Sequence, residues 1–259
     1  MSEEIQFLEI NGAKIAHLYV PSKERDVTIM FLHGFFSSML KTKGQYLRDL
    51  CIEKGYGFLS LDYAGHGQSS GEFEDGCISQ WLENCEDVIR FSRAKKLIIV
   101  GSSLGGWMML HLMMRFPNLV SGLVGIAVAP DFTTEIPNKL TPQQYQMLKD
   151  TGKFVLSSDY QASGVAITQR LLDDGAELTV FEKGGIPCHV PVRLLHGVKE
   201  DVDCSFDLSL KLMEELDTSN VEVTLIKDGE HSLSTPQNLR LLRQVIIQLV
   251  EEIEENAAF

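Results

Sequence analysis

The stretch Leu97-Ile98-Ile99-Val100-Gly101-Ser102-Ser103-Leu104-Gly105-Gly106-Trp107 runs from an apolar segment, through a glycine-flanked serine pair, into a helical pattern. Leu97 to Val100 reads as a buried strand, because a strand covered on both faces is apolar without alternation. Leu104 to Arg115 reads as a helix that stops before Pro117, whose missing N–H ends it. The turn between them has the form Gly-x-Ser-x-Gly, with Gly101 and Gly105 two residues either side of Ser103. A random chain of this length carries that pattern about one time in ten, so the strand and helix around it give it meaning. A sharp strand-to-helix turn strains its central residue and tolerates only small neighbours, and it aims the Ser103 hydroxyl out of the end of the sheet. The helix N-terminus beneath offers N–H groups and a dipole to a developing anion. The competing reading is a phosphate loop with an idle serine; the turn has no Walker lysine and no G-x-G-x-x-G.

Outward from that turn, strands alternate with helices. Ile5 to Ile10 and Lys14 to Val20 flank Asn11-Gly12, a two-residue hairpin signal. Val27 to Leu32, Gly57 to Leu61, Gly122 to Val128, Val192 to Leu195 and Val221 to Ile226 read as further strands. Helices are expected near Gln45 to Glu53, at Ile78 to Ser92, Phe206 to Leu216, and from Pro236 to Glu254. Such alternation predicts an α/β fold with a mostly parallel central sheet and helices on both faces. From about residue 131 to 189 the alternation lapses into polar pieces with helical character, around Thr141 to Lys149 and Gly164 to Asp173. That stretch is expected to be a short helical cap inserted in one domain spanning 1–259.

Composition narrows the function classes. The chain has 259 residues, is 44% hydrophobic and 23% charged, and carries a net charge of −13. Those fractions suit a globular domain. The negative balance argues against nucleic acid, whose phosphates need lysine and arginine clusters. Five cysteines without CxxC spacing suggest reduced thiols, with neither a disulfide framework nor a zinc site. No basic-then-apolar leader opens the sequence and no apolar run approaches a membrane span, so a cytoplasmic protein acting on a small or acylated substrate is expected.

A serine at its ordinary pKa is a weak nucleophile, so a histidine must take its proton and a carboxylate must orient that histidine. Of seven histidines, only His231 follows the last expected strand, in Asp228-Gly229-Glu230-His231-Ser232. The acid belongs after Val192 to Leu195, where His196-Gly197-Val198-Lys199-Glu200-Asp201-Val202-Asp203 follows. Glu200 is the first candidate and Asp201 the alternative, with Asp203 third. Backbone N–H groups of Leu104 and Phe35 are the expected oxyanion donors, Gly34 allowing the unusual turn before Phe35. Phe36 and Trp107 are candidates for the substrate pocket.

His33-Gly34-Phe35, Asp62-Tyr63-Ala64-Gly65-His66-Gly67-Gln68-Ser69, Gly101 to Gly106, His196-Gly197 and Gly229-Glu230-His231 together resemble the α/β-hydrolase superfamily across essentially the whole chain. Val100 to Trp107 with Met109-Leu110-His111, and Arg193 to Gly197, resemble the branch containing the mitochondrial palmitoyl-protein thioesterase. The resemblance implies esterase or thioesterase chemistry through an acyl-enzyme, with no cofactor. It also implies that the D-x-x-G-x-G-x-S segment is a structural turn beneath the nucleophile, and it departs at Glu200, where that branch has Asp. The same triad serves C–C hydrolases and peptidases. A non-catalytic binding protein on this fold would be expected to lose Ser103 or the base, and both are present.

Overall fold

The computed structural model describes residues 4–23, 25–158, 161–199 and 204–256. The body comprises β1 (Gln6–Ile10), β2 (Ala13–Val20), β3 (Val27–Leu32), α1 (Thr42–Lys54), β4 (Gly57–Leu61), α2 (Ile78–Ser92), β5 (Lys96–Ser102), α3 (Leu104–Arg115) and β6 (Val120–Ile126). Between β6 and the resumption of the sheet lie α4 (Phe132–Glu135), α5 (Pro142–Thr151), β7 (Lys153–Ser158), β8 (Gln161–Thr168) and α6 (Gln169–Glu177). The body closes with β9 (Val192–Gly197), α7 (Asp207–Glu215), β10 (Val221–Ile226) and α8 (Pro236–Asn256).

Eight strands form one sheet in the order β1-β2-β4-β3-β5-β6-β9-β10. The first hairpin turns on Asn11 and Gly12, both at positive φ as a type I′ turn requires, and β2 is antiparallel to β1 and β4. All the other pairings are parallel. Side chains alternate between two cores, as the two-residue period of a strand dictates. From β5, Leu97 and Ile99 join Trp81 and Val88 of α2 and Leu112 of α3; Ile98 and Val100 join Leu47 of α1 and Leu242 and Ile246 of α8. Burying each such side chain contributes about 1.5–3 kcal/mol, and together these contacts fix the sheet between its helical layers.

This topology places the functional end of the molecule. The connection leaving β3 runs to β4 on one side and that leaving β5 runs to β6 on the other, so a switch point lies between β3 and β5. Leu32 pairs with Gly101 at the carboxyl ends of these neighbouring strands. Loops leaving a sheet there enclose a crevice, the usual ligand position in open α/β sheets.

The insertion departs from the helical expectation in one respect. Residues Gly164 to Thr168 are strand, paired antiparallel with β7, and helix begins only at Gln169. Phe154 and Ile167 are wholly buried while Val155 is exposed, a two-residue alternation too short to stand out in sequence. Gly164 sits at φ +74, and a Cβ there would meet Val155 Cγ1 at 2.4 Å, so the hairpin needs glycine at its irregular register. The two helices flanking it are conventionally capped: Thr141 and Gln144 form a capping box on α5, and Thr168 Oγ1 accepts from Leu171 N–H on α6. Among the described residues no helix is long and apolar enough to cross a membrane.

Candidate active site

Ser103 sits between β5 and α3 at φ 55, ψ −117, a region that costs a non-glycine residue about 1–3 kcal/mol. Neighbouring backbone holds it there. Ser103 N–H donates to the Ile126 carbonyl at 2.9 Å, and its own carbonyl accepts from Gly106 N–H at 2.9 Å. The glycines of the motif are required by close approach. A Cβ on Gly101 would lie 2.5 Å from the Gly105 oxygen, and one on Gly105 would lie 2.2 Å from the Leu32 oxygen.

The loop after β3 crosses directly over this turn: a Cβ on Gly34 would stand 3.3 Å from Ser103 Cβ and 3.9 Å from its Oγ. Phe35 and Leu104 therefore bracket Ser103, one from each loop. Among the described residues, neither backbone N–H donates to a protein acceptor. The Phe35 ring packs edge-on against Phe73 at 5.0 Å and Phe132 at 5.5 Å between centroids. Phe36, at φ 54, packs on Phe73 and lines an open groove of about 610 Å³. The opposite wall of that groove is the β7–β8 hairpin, through Val155, Val165 and Ala166, and Glu72, Glu74 and Asp75 form its acidic rim. Neither Ser103 nor His231 lines it. Trp107 presents no surface to solvent; its ring lies behind Phe132 at 5.8 Å, and its indole N–H donates to the Leu178 carbonyl at 3.2 Å.

His231 lies in the loop between β10 and α8. That loop packs backbone to backbone on the loop after β9, where a Cβ on Gly197 would lie 2.3 Å from the Gly229 oxygen. Lys199 N–H donates to that same Gly229 carbonyl at 3.1 Å, and Lys199 Nζ donates to Glu230 Oε1. On the far side of the β9 loop, His196 lies 3.0 Å from the Cys204 carbonyl and 2.7 Å from Ser209 Oγ. Lys199 is thus held on the His231 loop, and Cys204 on His196 of β9. Glu200, Asp201 and Asp203 themselves lie outside the described residues.

Two features were not singled out in the sequence. Asp131, in the left-handed region at φ 57, accepts from Val180 and Phe181 N–H and ties the start of the insertion to its end. Its sequence signal is only an aspartate following Pro130 at the end of the β6 segment. Lys43 of α1 reaches the carbonyl of Ser232, 189 residues away, a contact with no local pattern.

Beneath the β3 loop, Asp62 accepts from Met39 N–H at 2.7 Å and from Gln68 N–H at 2.9 Å. Gly67 must lack a side chain, since a Cβ would lie 2.0 Å from Asp62 Oδ2. The D-x-x-G-x-G-x-S segment is therefore a structural turn that steadies the loop over Ser103. His33 and His66 pack on Tyr63 in the same layer. Burial holds the His33 pKa well below its ordinary value, with the charge of His66 adding to the effect. Burial likewise pushes His66 down to about 4. The unfolded chain takes up these protons near pH 6.5 while the folded one resists, so stability is complete above about 6.5 and declines as pH falls towards 4. His66 alone should cost about 2 kcal/mol by pH 5. Urea midpoints measured from pH 7.5 to 5 should fall accordingly, and His66→Gln should flatten part of that slope; an unchanged slope in the variant contradicts the assignment.

The sheet order, the strained serine turn after β5 and the histidine loop after β10 define an α/β hydrolase. The family model described as serine aminopeptidase, S33, matches residues 23–163, and the chain belongs to that family. It is 30% identical over 235 residues to the mitochondrial palmitoyl-protein thioesterase ABHD10 of Bos taurus, covering 91% of this chain and 76% of that protein. The structure of α/β hydrolase domain-containing protein 10 from mouse superposes with a TM-score of 0.87 at 27% identity, covering 96% of this chain and 99% of that one. A putative hydrolase from Agrobacterium vitis S4 superposes with a TM-score of 0.89 at 35% identity, over 95% and 99% of the two chains.

Proposed function

We propose that this hydrolase cleaves carboxylic esters or thioesters through an acyl-enzyme on Ser103. His231 takes the Ser103 proton as Oγ attacks the carbonyl carbon, and returns it to the departing alcohol or thiol. Water then attacks the acyl carbon with His231 again as base, releasing the acid and restoring the serine. Phe35 and Leu104 N–H groups stabilise the oxyanion of each tetrahedral intermediate. Glu200 orients His231, with Asp201 as the alternative, because the acid of such a triad belongs in the segment that follows β9. The observation that carries the reading is the Ser103 backbone at φ 55, a strain held by Ile126 and Gly106, with the β3 loop against its side chain. Strain of this kind persists only where surrounding structure over-determines it, and it clusters at active sites.

Relatives named palmitoyl-protein thioesterases support a long acyl chain. A p-nitrophenyl ester and acyl-thioester series from two to sixteen carbons should therefore give kcat/KM rising by about tenfold for every two methylenes the site buries, at about 0.8 kcal/mol per methylene. A flat series contradicts a long-chain acyl substrate. The family description favours a second reading, a peptidase on the same triad, which aminoacyl p-nitroanilides test in the same assay. All five cysteines are buried and none is in CxxC spacing, which supports our placement of the protein in a reducing compartment such as the cytoplasm; imaging of the full-length tagged protein checks this.

A further inference from the structure

Lys43 is the second residue of α1, the helix that follows the loop carrying Gly34 and Phe35. Its Nζ donates to the carbonyl of Ser232, the residue after His231, and lies 3.4 Å from Ser234 Oγ. Ser234 Oγ donates to the same Ser232 carbonyl at 3.1 Å. Among the described residues no carboxylate lies within salt-bridge distance of Lys43, and burial lowers its pKa to about 8. An ammonium taken out of water without a counter-charge is costly. Here it serves two neutral acceptors, to which a charged donor binds about twice as strongly as a neutral one.

The segment it grips needs holding. Leu233 is at φ 43, a left-handed conformation for a γ-branched residue, and is buried. Its Cδ2 packs where a Cβ on Gly229 would lie, at 2.7 Å, so the loop from Gly229 to Ser234 folds back on itself around His231. One face of that loop rests on Gly197; Lys43 reaches it from α1. At the other end of the same connection, Gly44 lies so close to Met39 that a Cβ would overlap its carbonyl oxygen, and Met39 N–H is pinned by Asp62.

We propose that Lys43 is a positioning residue of the reaction, a strut that fixes the His231 loop relative to the β3 loop bearing the Phe35 N–H. The proposal rests on the serine hydrolase reading above. A misplacement of the base by about 1 Å costs up to about a hundredfold in rate. In Lys43→Met, kcat for a p-nitrophenyl ester should fall by about 10–100-fold with KM within threefold. The rate of Ser103 labelling by a fluorophosphonate should fall by the same factor, because that attack also needs His231 to take the proton. A folded variant with kcat and labelling rate within threefold of wild type overturns the proposal, as does a rise in KM with kcat unchanged. If Lys43→Met does not fold, Lys43→Gln carries the same readouts and the same two overturning results. Wild-type protein that neither labels nor hydrolyses overturns the hydrolase reading, and the strut with it; wild-type activity matched by the variant overturns the strut alone.

Discussion

Ser103→Ala should lower kcat on p-nitrophenyl esters by about 10⁴–10⁶-fold while leaving the thermal midpoint close to that of wild type. The loss is large because the nucleophile, base and acid act as one unit. Without Oγ, His231 has no proton to accept and only the oxyanion donors and substrate binding remain. Stability should hold because alanine occupies the same volume less one oxygen, in a backbone conformation already imposed by the bonds to Ile126 and Gly106. Steady-state turnover with parallel thermal unfolding checks both halves. Residual kcat within tenfold of wild type means that the chemistry lies elsewhere in the molecule.

Gly105→Ala should have the largest effect on folding. Its Cβ would lie 2.2 Å from the Leu32 oxygen, 2.6 Å from the Leu32 carbonyl carbon and 2.7 Å from the His33 oxygen. All three are backbone atoms at the end of β3, which pairs on both sides in the sheet. Such an overlap cannot be relieved by a rotamer change, and moving α3 away from β3 opens the core around Trp107 and Leu104. A cost of about 3 kcal/mol or more is expected, at the upper end for overpacking, and the midpoint of urea unfolding should shift or the protein should fail to accumulate. Gly152→Ala is the matched control: at φ +74 with nothing within 4 Å of the added carbon, it bears backbone strain alone, about 1 kcal/mol. Equal costs at the two positions would show that the close approach of α3 to β3 is not what fixes the turn.

Much of the fold was legible because its central strands are covered on both faces. Val27–Leu32 and Gly57–Leu61 read correctly to the residue, since every position in both is buried and the apolar run has definite ends. Helix Leu104–Arg115 was equally legible, bounded by a glycine turn and Pro117. The β7–β8 hairpin was not, because Gly164-Val165-Ala166-Ile167 is too short for a strand period to be told from a helical one.

The site divides along a different line. The Ser103 turn could be found because every requirement is local: small residues at Gly101 and Gly105, a strand before and a helix after. Chain order singled out His231, and the structure places its loop against that of Lys199. The choice among Glu200, Asp201 and Asp203 depends on a side-chain geometry that residue type and spacing do not determine. Lys43 and Asp131 act across 189 and 49 residues respectively, and the Ser232 carbonyl and Val180 N–H they bind are backbone groups, which have no residue type to recognise.

The central claim is that Ser103 is the activated nucleophile, and peptide mapping after treatment with a fluorophosphonate probe tests it most directly. One adduct per chain is expected, on the peptide containing Ser103, formed at a rate that His231→Ala reduces by several orders of magnitude. Absence of an adduct on folded wild-type protein, or an adduct that persists in Ser103→Ala, would contradict it.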